Sequence, residues 1–213
     1  MNALARSSKR KELPMTLRKR TVAILIFDDV ELLDFAGPFE VFSSVRNLTG
    51  DHERLMDVFT VAESTAPVRC RNGLVVQPEW SIDECQTVDV LVIPGGAGVR
   101  AALGRNHVVE WVRTRAQEAE LTVSVCTGSF LLAQAGLLSG RPATTHWERI
   151  GEMRERFPEV EVVEDERWVD TGDIITAAGV SAGIDVALHV VRRLYGADVA
   201  RATALGIEYD YWE

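Results

Sequence analysis

Residues 121–132 read Leu-Thr-Val-Ser-Val-Cys-Thr-Gly-Ser-Phe-Leu-Leu, and this stretch decides the fold. Leu121 to Val125 are mostly apolar or β-branched, the pattern of a strand buried on both faces. Cys126 follows, and Thr127, Gly128 and Ser129 then open an apolar run, residues 130–138, that predicts a helix. A cysteine at a strand-to-helix junction sits beside the first helical amides. Those amides lack intrahelical partners and carry the positive end of the helix dipole. A thiolate there is stabilised, so the thiol acidifies, and the same amides can hold an oxyanion. The opposing reading makes Cys126 a small buried hydrophobe, as most free cysteines are. Local context leaves both open.

The flanking chain repeats the strand-then-helix pattern. Residues 21–27, 56–62, 88–93 and 174–178 are apolar runs that predict further buried strands. Between them lie helical stretches: from Gly37-Pro38, with Pro near the first turn, to about residue 48; then 107–119, 148–157, 182–195 and 197–205. Asn72-Gly73 predicts a hairpin between residues 68–70 and 74–77. Ser81-Ile82-Asp83-Glu84 is a capping-box pattern for a short helix. Shorter strands are predicted at 143–145, 160–163 and 167–170, and residues 207–213 read as irregular. Strands that alternate with helices give an α/β fold with a mostly parallel sheet covered on both faces.

The chain has 213 residues and a net charge of −9, unevenly distributed. Residues 1–20 hold seven Lys/Arg against Glu12 alone, and read as a solvated basic leader ahead of one domain spanning 21–213. The acidic remainder is a poor partner for nucleic acid, so none is expected. No apolar run approaches the roughly 20 residues of a membrane helix, and the leader is not a secretory signal. Cys70, Cys85 and Cys126 are too far apart for a zinc site or a disulfide framework. A cytosolic protein without metal or cofactor is therefore expected.

Several motifs compete with the cysteine. Gly96-Ala-Gly98-Val-Arg-Ala101 matches the dinucleotide fingerprint, but it lies mid-chain and opens no long helix directly. Its loop, with Gly95 and Gly96, is better read as free amides facing the strand-end crevice. Gly179-Val-Ser181-Ala-Gly183 matches a serine elbow, yet Asp185 and His189 share one downstream helix and cannot form a triad. Ser181 is expected as a helix N-cap. His146 stands 20 residues after Cys126, as base, orienting group or site-edge histidine. Trp147 is expected in the core or pocket wall. Asp34, bracketed by Leu33 and Phe35, is an acid among apolar neighbours, which implies pairing or use. Burial would drive it towards its protonated form; the alternative is a cap for the segment from Gly37.

Residues 22–42, 88–99, 122–147 and 175–191 carry, in order, VAILIFDDVELLDFAGPFEVF, VDVLVIPGGAGV, TVSVCTGSFLLAQAGLLSGRPATTHW and ITAAGVSAGIDVALHVV. Together they resemble the ThiJ/PfpI superfamily, related to class I glutamine amidotransferase domains, over nearly all of residues 21–209. The resemblance implies a flavodoxin-like three-layer α/β sandwich, a cysteine nucleophile elbow and a homodimer. Within the superfamily the isocyanide hydratase branch is most similar. That branch implies Cys126 as nucleophile, Asp34 as acid/base, Thr127 as supporting hydroxyl and amide, and Gly95, Gly96, His146 and Trp147 around a small-molecule substrate. The protease-like branch has His where Thr127 stands, so peptidase activity is not expected. Two rivals remain: a glyoxalase-like enzyme, and a ligand- or redox-sensing domain like those fused to AraC-type DNA-binding modules. This chain stops at Glu213 and leaves no room for such a module, so DNA regulation is expected to need a separate partner.

Overall fold

The computed structural model describes residues 17–49 and 51–210. Expectations placed on residues 1–16 of the basic leader and 211–213 of the tail lie outside the described residues. The leader's last residues belong to the body. Arg18 pairs with Asp89, Lys19 with Asp57 at 2.8 Å, and Arg20 already lies in the first strand, paired with Glu120.

The first half of the chain runs β1 (Arg20–Leu25), α1 (Leu32–Ser43), β2 (Met56–Ala62), β3 (Val68–Arg69), β4 (Val75–Val76), β5 (Trp80–Ser81), β6 (Val90–Ile93), α2 (Val99–Leu103) and α3 (Asn106–Glu118). The second runs β7 (Leu121–Val125), α4 (Gly128–Gln134), β8 (Pro142–Ala143), α5 (Ile150–Arg156), β9 (Glu161–Val162), β10 (Trp168–Asp170), β11 (Ile174–Ala177), α6 (Ala182–Tyr195) and α7 (Ala197–Gly206). Seven strands form one sheet in the order β10-β11-β7-β6-β1-β2-β5. Every neighbour is parallel except β10 against β11. The strand order β2-β1-β6-β7-β11 is flavodoxin-like.

Both faces of the sheet are covered, which is why its strands read as continuous apolar runs. Val22, Ile24 and Ile26 of β1 and its exit pack with Phe42, Val186 and Val190 of α1 and α6. Ala23 and Leu25 point the other way, towards Val112, Leu131 and Leu132 of α3 and α4. Connections leave β1 and β6 in opposite directions along the sheet, and this switch point opens a crevice at their carboxyl ends.

Three local expectations are corrected. Helix α1 begins at Leu32, not Gly37, and ends at Ser43. Asp34 therefore sits in its first turn rather than capping a later one, and Pro38 lies inside the helix. The early start is driven by packing: Phe35, Val41 and Phe42 bury together against the sheet. The Ser81–Glu84 capping box forms only a turn after β5, with Ser81 Oγ donating to Glu84 Oε2 at 2.7 Å. Helix α4 starts at Gly128, two residues ahead of the apolar run. The hairpin at Asn72-Gly73 is present, with β3 and β4 antiparallel.

Candidate active site

Three neighbouring strands deliver the site. Asp34 follows β1, Gly95 and Gly96 follow β6, and Cys126 follows β7. Cys126 has φ +55°, the left-handed region that non-glycine residues rarely occupy. The surroundings fix it there. Its N–H donates to Ala178 O at 2.8 Å, and its carbonyl accepts from Thr145 Oγ1 at 3.0 Å and Ser129 Oγ at 3.2 Å. Both hydroxyls are buried.

Glycine lets the elbows touch. A Cβ on Gly95 would meet Thr127 N at 2.5 Å and Cys126 Cβ at 2.9 Å, and one on Gly128 would meet Ile93 O at 2.0 Å. The ends of β6 and β7 thus pack backbone against backbone.

This packing consumes the loop amides. Gly95 N–H donates to Asp34 Oδ2 at 2.9 Å, and Gly96 N–H donates to Thr127 Oγ1 at 3.0 Å. The expectation that Gly95 and Gly96 offer free amides for an oxyanion is therefore corrected: both donors are occupied. Thr127 serves the site by bridging its two elbows. Its amide and hydroxyl also act on the Cys126 sulfur.

Asp34 is fully buried, and its Oδ1 has no hydrogen-bond partner. The Cys126 thiol and Val180 backbone lie close enough to act on its charge without completing a normal hydrogen bond to Oδ1. Burial, reinforced by the negative charge of Glu31, raises the Asp34 carboxyl to about 7 against the pull of the Gly95 amide. The Cys126 thiol is pushed up to about 12, first by burial and then by the facing Asp34 charge. The acidified thiol expected from the helix start is corrected on this ground. The Thr127 contacts do lower it, but desolvation and a neighbouring carboxylate outweigh them. Each group acts on the charge of the other.

A cavity of about 280 Å³ opens over Cys126, bordered by Thr127, Phe130, Val180 and His146, while Asp34 is fully buried and does not border it. The His146 Nδ1 accepts the Glu148 N–H at 3.3 Å, which places the ring proton on Nε2. With Nδ1 engaged, Nε2 is the ring nitrogen left for a contact with a ligand. Its ring lies against Gly179, where a Cβ would sit 2.2 Å from Cδ2. Trp147, expected in the core or pocket wall, is 75% exposed and does not border the cavity. Ser181 does stand at the N-cap position of α6, but its hydroxyl accepts from Arg167 Nη2 at 3.1 Å and caps no helix amide. Among the described residues no cluster of His, Cys, Asp and Glu could hold a metal ion. No described helix is long and apolar enough to cross a membrane.

Sequence reasoning assigned no role to Thr145, Ser129 and Val180. All three lay within quoted motifs, but the common target of Thr145 and Ser129, one carbonyl, is visible only in three dimensions. They carry a prediction. Thr145→Val is expected to cost about 1–2 kcal/mol in urea unfolding, because the Ser129 hydroxyl still satisfies the carbonyl. Adding Ser129→Ala leaves a buried carbonyl without either hydroxyl, so the double variant should lose more than the sum of the singles. Strict additivity would show that the hydroxyls do not share this task.

Fold and site together define a flavodoxin-like α/β domain built around a cysteine elbow. The chain belongs to the DJ-1/PfpI family, whose model matches residues 20–193. It is 34% identical over 189 residues to an isonitrile hydratase of Pseudomonas putida, covering 88% of this chain and 78% of that protein. It is 29% identical over 189 residues to the HTH-type transcriptional regulator GbdR of Pseudomonas aeruginosa, and spans only 50% of that regulator's length. Among solved structures, a ThiJ/PfpI family protein from Pseudomonas syringae superposes with a TM-score of 0.82 at 28% identity, covering 97% of this chain and 86% of that one. Drosophila melanogaster DJ-1beta shares the fold at TM-score 0.78 and 21% identity, covering 91% of this chain and 100% of that one.

Proposed function

We propose that the protein is a cysteine-dependent hydratase that converts a small isocyanide, R–N≡C, to the N-formamide. The observation that carries this reading is the buried Asp34–Cys126 pair beside a small cavity. The identity to an isonitrile hydratase supports it. A thiol held near 12 cannot ionise alone at neutral pH, so it needs a base in contact, and Asp34 is that base. As sulfur adds to the isocyanide carbon, the thiol proton passes to Asp34 and from there to the same carbon. The product is the S-linked thioimidate R–N=CH–S–Cys126. Water then adds to the thioimidate carbon, the nitrogen gains a proton, and the C–S bond breaks. R–NH–CHO leaves, and the sulfur recovers its proton through Asp34. In this reading His146, which borders the cavity, donates from Nε2 to the oxygen that develops in the second step.

The test is turnover of p-nitrophenyl isocyanide by the purified protein, followed as formamide formation. Wild type should turn over many times, and Cys126→Ala should be inactive. Equal rates for the two proteins, or no reaction with either, would sink the proposal. The similarity to GbdR supports a second reading, a ligand-sensing domain. That reading predicts saturable binding of a small molecule without its conversion.

A further inference from the structure

The cavity has two tiers. Its more buried lining is mainly apolar, with Val99, Leu103, Phe130 and Val180 alongside Thr127 and His146. At its mouth stand Arg71, Arg100 and Arg149, with side chains 58%, 70% and 43% exposed. Arg71 is neutralised by Glu31, Nη1 to Oε2 at 2.9 Å. The other two are not matched one to one. They come from separate elements, α2 and the turn ahead of α5, and reach the same oxygen, Glu152 Oε2, each at 3.5 Å. A charge-assisted N–H···O bond is normally about 2.7–2.9 Å, and a guanidinium fork suits a carboxylate in bidentate fashion. Neither guanidinium makes a shorter side-chain contact among the described residues. Two cations thus share one loosely held anion, Glu152. Glu148 also borders the cavity and brings the formal charge of its lining to zero, but among the described residues it is ion-paired to neither arginine.

We propose that the substrate carries a carboxylate, which bridges Arg100 and Arg149 while the isocyanide carbon lies against Cys126. The inference rests on the hydratase reading and names the substrate class within it. The geometry also fixes the orientation. The apolar inner tier penalises a buried charge, and Asp34 repels a second carboxylate there, so the anionic end stays at the mouth. A cavity of about 280 Å³ is small for a ligand pocket, which limits the group between the two ends to a short one.

The experiment compares isocyanoacetate with methyl isocyanoacetate, the same skeleton without the charge. Wild type should favour the anion in kcat/KM by about tenfold, roughly what one charge-assisted hydrogen bond at a solvent-facing mouth contributes. The difference should lie mainly in KM, and 0.5 M salt should shrink it, because exposed charges are screened. In Arg100→Ala/Arg149→Ala the preference should fall towards one, and in Arg100→Lys/Arg149→Lys part of it should survive. Equal kcat/KM for acid and ester in wild type, or a preference untouched by the double alanine variant, overturns the inference and leaves the hydratase reading standing. Turnover of neither compound overturns both.

Discussion

Asp34→Asn is expected to lower kcat/KM for isocyanide hydration by about 10²–10⁴-fold, the usual contribution of a positioned acid/base, and to abolish the acid limb of the pH profile. In the wild type Asp34 titrates near 7 and Cys126 near 12, so between those values the pair holds one proton. That proton is the one the reaction moves. Below about 7 Asp34 is already protonated and cannot take the thiol proton, so the rate should fall about tenfold per pH unit. Stability supplies a second readout. The Asp34 carboxyl is raised from its ordinary value of 3.8, so the folded state holds a proton that the unfolded state has released. Its contribution is fully present below 3.8 and is lost as pH rises to about 7. Between pH 5 and 8 the wild type should therefore lose on the order of 2–3 kcal/mol relative to Asp34→Asn. The asparagine carbonyl can still accept the Gly95 amide, so the comparison isolates the charge. Parallel stability curves for the two proteins across this range would show that Asp34 does not hold a raised pKa.

The same pair shows where sequence reading succeeds and where it stops. Buried parallel strands announce themselves as continuous apolar runs, and residues 121–125 and 174–177 fell where expected for that reason. Asp34 stood out because a carboxylate between Leu33 and Phe35 demands an explanation. The sign of the thiol shift was not legible. It depends on whether Cys126 ends up closer to helix amides or to a buried carboxylate, and that is set by the register of β1, β6 and β7. The occupied amides of Gly95 and Gly96 were illegible for the same reason: their acceptors, Asp34 and Thr127, lie 61 and 31 residues away. Helix α1 was misplaced by local rules. A Gly-Pro pair marks a first turn only when the preceding residues have nothing to bury, and here Phe35 does. The contact that occupies His146 Nδ1 comes from Glu148, two residues along, in a turn that the strand-end reading did not foresee.

Gly128→Ala is expected to damage both the site and the fold. A Cβ there would lie 2.0 Å from Ile93 O, 2.8 Å from Ile93 C and 2.9 Å from Pro94 O, all backbone atoms that cannot rotate away. The β6 and β7 ends must separate, at an overpacking cost of about 3 kcal/mol or more. That separation stretches the Gly96–Thr127 bond and shifts Gly95, which carries Asp34, relative to Cys126. A displacement on the order of 1 Å between reacting groups costs about a hundredfold, so kcat/KM should fall at least that far. Gly151→Ala is the control. It lies in α5 with nothing within 4 Å of the new Cβ, and a helical Gly-to-Ala change should stabilise by up to about 1 kcal/mol. The pair of variants separates two explanations of the cysteine's geometry. If Gly128→Ala unfolds early in urea but retains wild-type kcat/KM while folded, the Asp34–Cys126 relation does not depend on the contact between the two elbows. If both fall together and Gly151→Ala keeps full activity, that backbone contact is what holds the carboxyl against the thiol.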